Sequence, residues 1–254
     1  MHNLKIIKGL SPLKEDSTNN RFNELYIALR LKEGRIYSEE ELWLLPKVPP
    51  FHPHFEEWEI RRHSCDKLMY YIKSHGHICN VLEIGCGNGW LSAKLSTVAR
   101  GNVTGIDINI VELEQARKAF GKIPNLGFIE GDIRSCVLQD KKYDLVVFAA
   151  SIQYFSSFYE IIKVALRHVT LQGEIHIIDS PMYRFSEIED AKQRSKKYYH
   201  QTGFREMSEH YFHHGIEDLR PFCFSTLYNP HSWRNRMRFH KNPFHWVVIK
   251  NRYS

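Results

Sequence analysis

Glu83, the glycines Gly85, Gly87 and Gly89, and Asp107 are the residues whose types and spacing could do chemistry in this 254-residue chain. They stand in Val81-Leu82-Glu83-Ile84-Gly85-Cys86-Gly87-Asn88-Gly89-Trp90-Leu91, with Asp107 eighteen residues beyond Gly89, closing Val103-Thr104-Gly105-Ile106. A short apolar run with an acid embedded in it predicts a buried parallel strand, and the glycines predict a tight turn. From Trp90 onward Leu91, Leu95 and Val98 recur at helical spacing, so a helix begins where the glycines end. A second strand then finishes on Asp107, at the end of an open α/β sheet where ligands bind. The unit reads as a nucleoside-binding site.

The glycine spacing separates two kinds of cofactor. A dinucleotide site requires G-x-G-x-x-G, whose third glycine lets the helix pack closely and whose helix N-terminus takes a pyrophosphate. Here the pattern is Gly85-x-Gly87-x-Gly89, and Trp90 occupies the place of that third glycine. Glu83, just before the turn, adds negative charge that suits an ammonium or sulfonium better than a phosphate. A cationic cofactor is expected.

With these residues in view, the chain resembles the class I methyltransferases that depend on S-adenosylmethionine. Leu82 to Gly89 resembles their first motif, and Gly105-Ile106-Asp107 their second-strand acid. Phe128-Ile129-Glu130-Gly131-Asp132-Ile133 resembles their adenine site, and Tyr143 to Ser151 the fourth strand entering the active site. The resemblance covers roughly residues 60–180 and implies S-adenosylmethionine as cofactor. It implies that Glu83, Gly85, Cys86, Gly87 and Gly89 surround the methionine part, with Glu83 orienting the ammonium. Asp107 would hold the ribose, Asp132 and Ile133 the adenine, and Ile108 and Ala149 complete the cofactor-binding residues.

Methyl transfer is an in-line displacement, so alignment is the main demand and a base is needed only by some nucleophiles. Relatives that methylate exocyclic or amide nitrogens often carry Asn/Asp-Pro-Pro-Tyr after the fourth strand. This chain has Ala149-Ala150-Ser151-Ile152-Gln153-Tyr154-Phe155 there, without proline. An unidentified small-molecule acceptor is therefore expected, with Tyr154, His210 and Asp179 as the catalytic candidates and Ser151 and Gln153 beside them. His210 with His213 or His214 has the spacing of a metal pair on one helical face, but no acidic or thiol ligand accompanies it. No metal is expected. His52, His54, Trp58 and Arg61 could line a lid over the cofactor.

The elements that must position these groups follow from periodicity and turn residues. Residues 1–20 are polar and read as an arm; Phe22 to Lys32 have helical spacing, and Ser38 precedes three acids as an N-cap would. Four prolines between Pro46 and Pro53 make an extended connector, and Phe55 to Ser74 a helix. Residues 1–75 thus form an arm and helical cap, and residues 76–254 the catalytic domain. Beyond Asp107 come a helix (Ile110, Leu113, Ala116, Phe120), strands at 126–129 and 145–149, and a helix with Ile162, Ala165 and Val169. Gly173 ends that helical unit, 174–179 is a fifth strand, a basic helix runs to Gln201, and 244–250 is a terminal antiparallel edge strand. The fold expected is α/β: Rossmann-like, doubly wound, mostly parallel with an antiparallel edge strand, plus the N-terminal helical cap.

Composition bounds the alternatives. Apolar content of 43% can fill the core of a chain this long, and no run reaches the eighteen apolar residues of a membrane span. Five scattered cysteines without a C-x-x-C pair fit a reducing cytoplasm, and the N-terminus lacks a signal-peptide pattern. Residues 184–254 hold 13 Lys and Arg against 7 Asp and Glu, so the whole net charge of +6 lies there, densest at 192–197 and 234–238. That surplus keeps RNA or another nucleic acid open as an alternative acceptor. A nicotinamide-dependent oxidoreductase and a cofactor-binding protein without catalysis are the alternatives from other classes.

Overall fold

A computed structural model describes residues 17–236 and 242–251. Most of the polar arm (1–16) and part of the basic run 234–238 lie outside the described residues. Seven strands form one sheet in the order β3-β2-β1-β4-β5-β7-β6. The five that carry the doubly wound part are parallel: β1 (Val81–Ile84), β2 (Val103–Asp107), β3 (Leu126–Glu130), β4 (Tyr143–Ala149) and β5 (Val169–Ile178). The antiparallel edge consists of β6 (Cys223–Tyr228) and β7 (Trp246–Lys250).

Strand periodicity decides which helix each side chain meets. Val81, Leu145 and Val147 point into a core shared with Trp58, Leu68, Ile72 and Leu91, whereas Leu82, Val146 and Phe148 point into the opposite core with Ile161, Ile162 and Ala165. The first face is covered by α3 (Phe55–Ser74), α4 (Trp90–Ser96) and α5 (Ile110–Phe120), the second by α6 (Phe158–Leu166). Burial on both faces is why β4 reads as an apolar run from Leu145 to Ala149 rather than as an alternating strand.

Ahead of them lie α1 (Ser17–Lys32) and α2 (Glu39–Leu44). Ser38 Oγ accepts from the Glu41 N–H at 3.2 Å while the Glu41 carboxylate accepts from the Ser38 N–H at 2.7 Å, a reciprocal cap that starts α2 where the sequence predicts it. In the basic C-terminal region α7 (Ile188–Gln201) ends at Gly203, whose φ of +82° terminates the helix.

Three expectations are corrected. Val169 opens β5 rather than closing α6, and Gly173 lies inside the strand, where a Cβ would stand 2.9 Å from the Asp144 carbonyl oxygen. The terminal strand β7 is not the edge, because β6 pairs outside it; β6 escaped notice since Cys223 to Leu227 are all exposed and show no alternation. Residues 210–214 carry no helix, so the expected shared face of His210 with His213 or His214 does not form.

Candidate active site

The carboxyl ends of β1, β2 and β4 open on a cavity of about 320 Å³. Gly85, Asp107, Ile108, Asp132, Ile133, Ser151 and Tyr154 line it from the sheet side. Phe22 and Tyr26 of α1 and His210 and Phe212 of the C-terminal region close it. A smaller space of about 70 Å³ shares Tyr26, Gly85 and Ala150 with it and is walled by Arg30, Arg35, Trp58, Arg61, Glu83, Cys86, Gly87, Trp90, Glu112 and Ala149.

Asp107 is oriented by its own backbone surroundings. Its carboxylate accepts from the Gly87 N–H at 2.7 Å and the Asn109 N–H at 2.8 Å, while Asn109 Oδ1 caps α5 through the Glu112 N–H. Each oxygen keeps a further lone pair for a hydroxyl donor. Burial raises its pKa, which the backbone hydrogen bonds oppose. Gly87 has φ of +51°, and a Cβ there would stand 2.7 Å from Glu112 Oε2, so a side chain would strain the turn and push the Glu112 carboxylate aside. Gly89 lines neither space; a Cβ on it would strike the Phe128 ring at 2.6 Å, making it a packing residue between α4 and β3.

Charge at the smaller space is balanced by groups far apart in sequence. Burial pushes Glu83 up to about 8 and Glu112 up to about 7, and the Ser92 hydroxyl donates to Glu83. An opposite charge beside either carboxyl would draw its pKa down again. Facing them, Arg61 pairs with Glu57 at 2.9 Å and lies 5.4 Å over the Trp58 ring, and Arg35 is held by Glu33 and Glu57. Arg30 is less committed: its Nη2 donates to the Tyr26 hydroxyl at 2.7 Å, and its nearest paired carboxylate, Glu33, is 3.7 Å away.

Trp58 and Trp90 explain the absent third glycine. Their rings meet edge to face at 5.4 Å, so the indole that replaces the glycine is received by α3. Trp58 is buried and donates its N–H to the Tyr37 hydroxyl at 3.0 Å, so it acts as a core residue whose face is already taken by Arg61. His52 and His54 border a separate surface recess.

The opposite side of the larger cavity is aromatic. Tyr154 meets Tyr26 and Tyr211 edge-on at 5.7 and 5.9 Å and Phe22 at 5.7 Å, and the His210 ring lies 5.3 Å from Phe22. Burial raises the Tyr154 pKa, so near neutrality it is a phenol that donates. Ser151 lines the cavity, but its hydroxyl donates to the Ile84 carbonyl at 2.6 Å. Gln153 and Asp179 line neither space. Asp179 Oδ1 accepts from Ser64 Oγ at 2.6 Å, and Asn242 donates to the same Ser64 oxygen, so this acid ties α3 to the end of β5. His213 pairs with Ser195, and His214 Nε2 lies 3.1 Å from the Ile152 carbonyl.

Of the anticipated residues, Glu83, Gly85, Cys86, Gly87, Asp107, Ile108, Asp132, Ile133, Ala149, Tyr154 and His210 converge; Gly89 and Asp179 do not. Sequence reasoning missed Tyr26, Arg30, Arg35 and Glu112. Tyr26 and Arg30 lie on α1, Arg35 in the segment after it and Glu112 on α5, and nothing in their spacing marks them.

A family model described as a methyltransferase domain matches residues 81–173. Over 99 residues the chain is 36% identical to malonyl-acyl-carrier protein O-methyltransferase 2 of Ilyobacter polytropus, covering 39% of this chain and 38% of that one. Release factor glutamine methyltransferase of Fusobacterium nucleatum is 37% identical over 92 residues, covering 35% of this chain and 25% of its own length. The chain thus spans well under half the length of these curated relatives. Magnesium protoporphyrin IX methyltransferase from Synechocystis PCC 6803, solved with bound S-adenosylhomocysteine, aligns over 94% of this chain and 100% of its own. Its TM-score of 0.58 at 13% identity establishes likeness of fold. Phe22, Tyr26, His210 and Phe212 all lie outside the segment matched by the family model.

Proposed function

We propose, on the premise that residues 81–173 belong to the class I S-adenosylmethionine-dependent methyltransferases, that this chain methylates a small molecule held between α1 and residues 210–212. When bound, S-adenosylmethionine supplies an electrophilic methyl group on a sulfonium. The residues present fit it: a glycine cradle that a Cβ at Gly87 would fill, a preoriented Asp107, and guanidinium groups beside that turn. Asp107 would accept from the ribose hydroxyls, and the Ile133 N–H with Asp132 would meet the adenine. Asp132 also holds the Arg134 guanidinium, with Arg134 Nε 2.9 Å from each carboxylate oxygen, so it would serve both. Arg30 and Arg61 are the cations for the methionine carboxylate, and Glu83 the acid for its ammonium.

Alignment is what the remaining residues contribute. Tyr26 and Tyr154, packed edge to face, give the acceptor one aromatic wall, and the Tyr154 phenol can donate to it. His210 is the cavity-lining group able to take a proton from a hydroxyl or amine acceptor. The observation that carries the small-molecule reading is the roof: Phe22, Tyr26, His210 and Phe212 stand over the same cavity to which Asp107 and Asp132 contribute, so an acceptor reaches the cofactor beneath aromatic side chains. The division at residue 75 is then functional, with α1 and the start of α3 closing the site that the sheet domain builds.

A reducing cytoplasm suits the free cysteines Cys65 and Cys86, both buried, and among the described residues no helix is long and apolar enough to cross a membrane. The reading is tested by incubating the protein with a metabolite extract and methyl-labelled S-adenosylmethionine. Label should enter a low-molecular-mass product; label entering RNA alone would refute the small-molecule acceptor.

A further inference from the structure

Beside the acceptor cavity lies a second cleft, of about 500 Å³, which shares Ser156 and Phe212 with it. Lys192 and Lys196, one turn apart on α7, stand on its wall with His213 and Ser208. We propose that this cleft binds an anionic group, phosphate or carboxylate, carried by the methyl acceptor. The inference rests on the methyltransferase reading and narrows its substrate class.

Three observations converge on it. Among the described residues neither lysine is held in an ion pair, and Glu209 is the only carboxylate on this wall. The region is also where the chain's surplus charge lies, with 13 basic against 7 acidic residues after residue 183. His213 registers that field: burial first, then Lys192, His214 and Arg194, lower its pKa, against which the Ala191 backbone works. Its ring is fixed between Tyr183 at 5.5 Å and Tyr211 at 5.2 Å, with Ser195 Oγ 2.9 Å from Nε2.

Adjacency to the reaction site supplies the rest. The Phe212 N–H donates to the Gln153 carbonyl at 2.7 Å, which pins the partition between the two spaces beside Tyr154. A molecule anchored by its anion at Lys192 and Lys196 would pass Ser156 and present its other end to Tyr154 and His210. Positive charge on α7 then selects the acceptor instead of serving a polymer backbone.

The test uses the full chain, isotopically labelled and saturated with S-adenosylhomocysteine, with inorganic phosphate and acetate titrated separately. The His213 ring and the Ser156 and Phe212 amides should shift saturably with at least one anion; the more effective one identifies the group carried. In the Lys192→Ala/Lys196→Ala variant, whose alanines favour α7, the midpoint should rise about five- to tenfold with S-adenosylhomocysteine affinity unchanged. No saturable shift, or the same midpoint in the variant, would overturn the proposal. So would a single-stranded RNA oligonucleotide that displaces phosphate and depends on both lysines, since the face would then serve nucleic acid. Failure of the wild type to bind S-adenosylhomocysteine would instead undo the methyltransferase reading itself.

Discussion

Arg30 Nη2 donates to the Tyr26 hydroxyl at 2.7 Å, one turn away on α1. That single helix therefore brings a cation to the glycine turn and a phenol to the acceptor side. With a neutral partner on Nη2 and Glu33 no nearer than 3.7 Å, the guanidinium can still donate to a carboxylate ligand.

Replacing Arg30 by Met should weaken S-adenosylhomocysteine binding roughly ten- to hundredfold through the lost charge-assisted hydrogen bonds. Adenosine, which lacks the carboxylate, should bind wild type and variant alike in calorimetric titrations. An equal loss for both ligands would mean that Arg30 only supports the helix.

Trp58→Ala should cost about 3–5 kcal/mol of stability, as expected for removing a large buried aromatic. Denaturant unfolding measures it directly. A cost below about 1 kcal/mol, typical of a surface position, would contradict its placement between Trp90, Tyr37 and Arg61.

What was legible in the sequence were the parts whose chemistry is local. Gly85, Gly87 and Asp107 lie within one strand-turn-helix-strand unit, so their spacing alone determines their meeting. Arg30 and Glu112 come to the same space from α1 and α5, and helical periodicity carries no sign of that convergence. Asp179 shows the opposite failure. An acid at the end of a parallel strand looks the same in sequence whether it faces a ligand or, as here, accepts from Ser64 across the core. The exposed β6 offered no alternation to read.

The pH dependence of stability should carry the mark of Glu83, whose pKa burial pushes up to about 8. Between its unfolded value near 4.5 and its folded value near 8, the native state holds a proton that the unfolded state has released. Its contribution is therefore fully present below the lower value and is lost as pH rises through this window. Glu83→Gln, which mimics the protonated acid, should gain stability relative to wild type as pH goes from 5 to 8. Parallel unfolding profiles across that range would show that Glu83 is ionised in the folded protein.

Acceptor-side variants should separate chemistry from cofactor binding. With a substrate obtained from the labelled-extract screen, His210→Ala should lower kcat by roughly a hundredfold or more if the histidine takes the proton, and Tyr154→Phe by less. Both should leave S-adenosylhomocysteine affinity within about threefold. A parallel fall in affinity would move either residue to the cofactor side.

Asp107, held by Gly87 and Asn109, is the proposed anchor of S-adenosylmethionine. Calorimetric titration of wild type and Asp107→Ala with S-adenosylhomocysteine and then with NADH tests it most directly. Saturable binding of S-adenosylhomocysteine alone, weakened roughly ten- to hundredfold in the folded variant, is the predicted result. NADH binding in its place, or an unchanged affinity in the variant, would contradict the account.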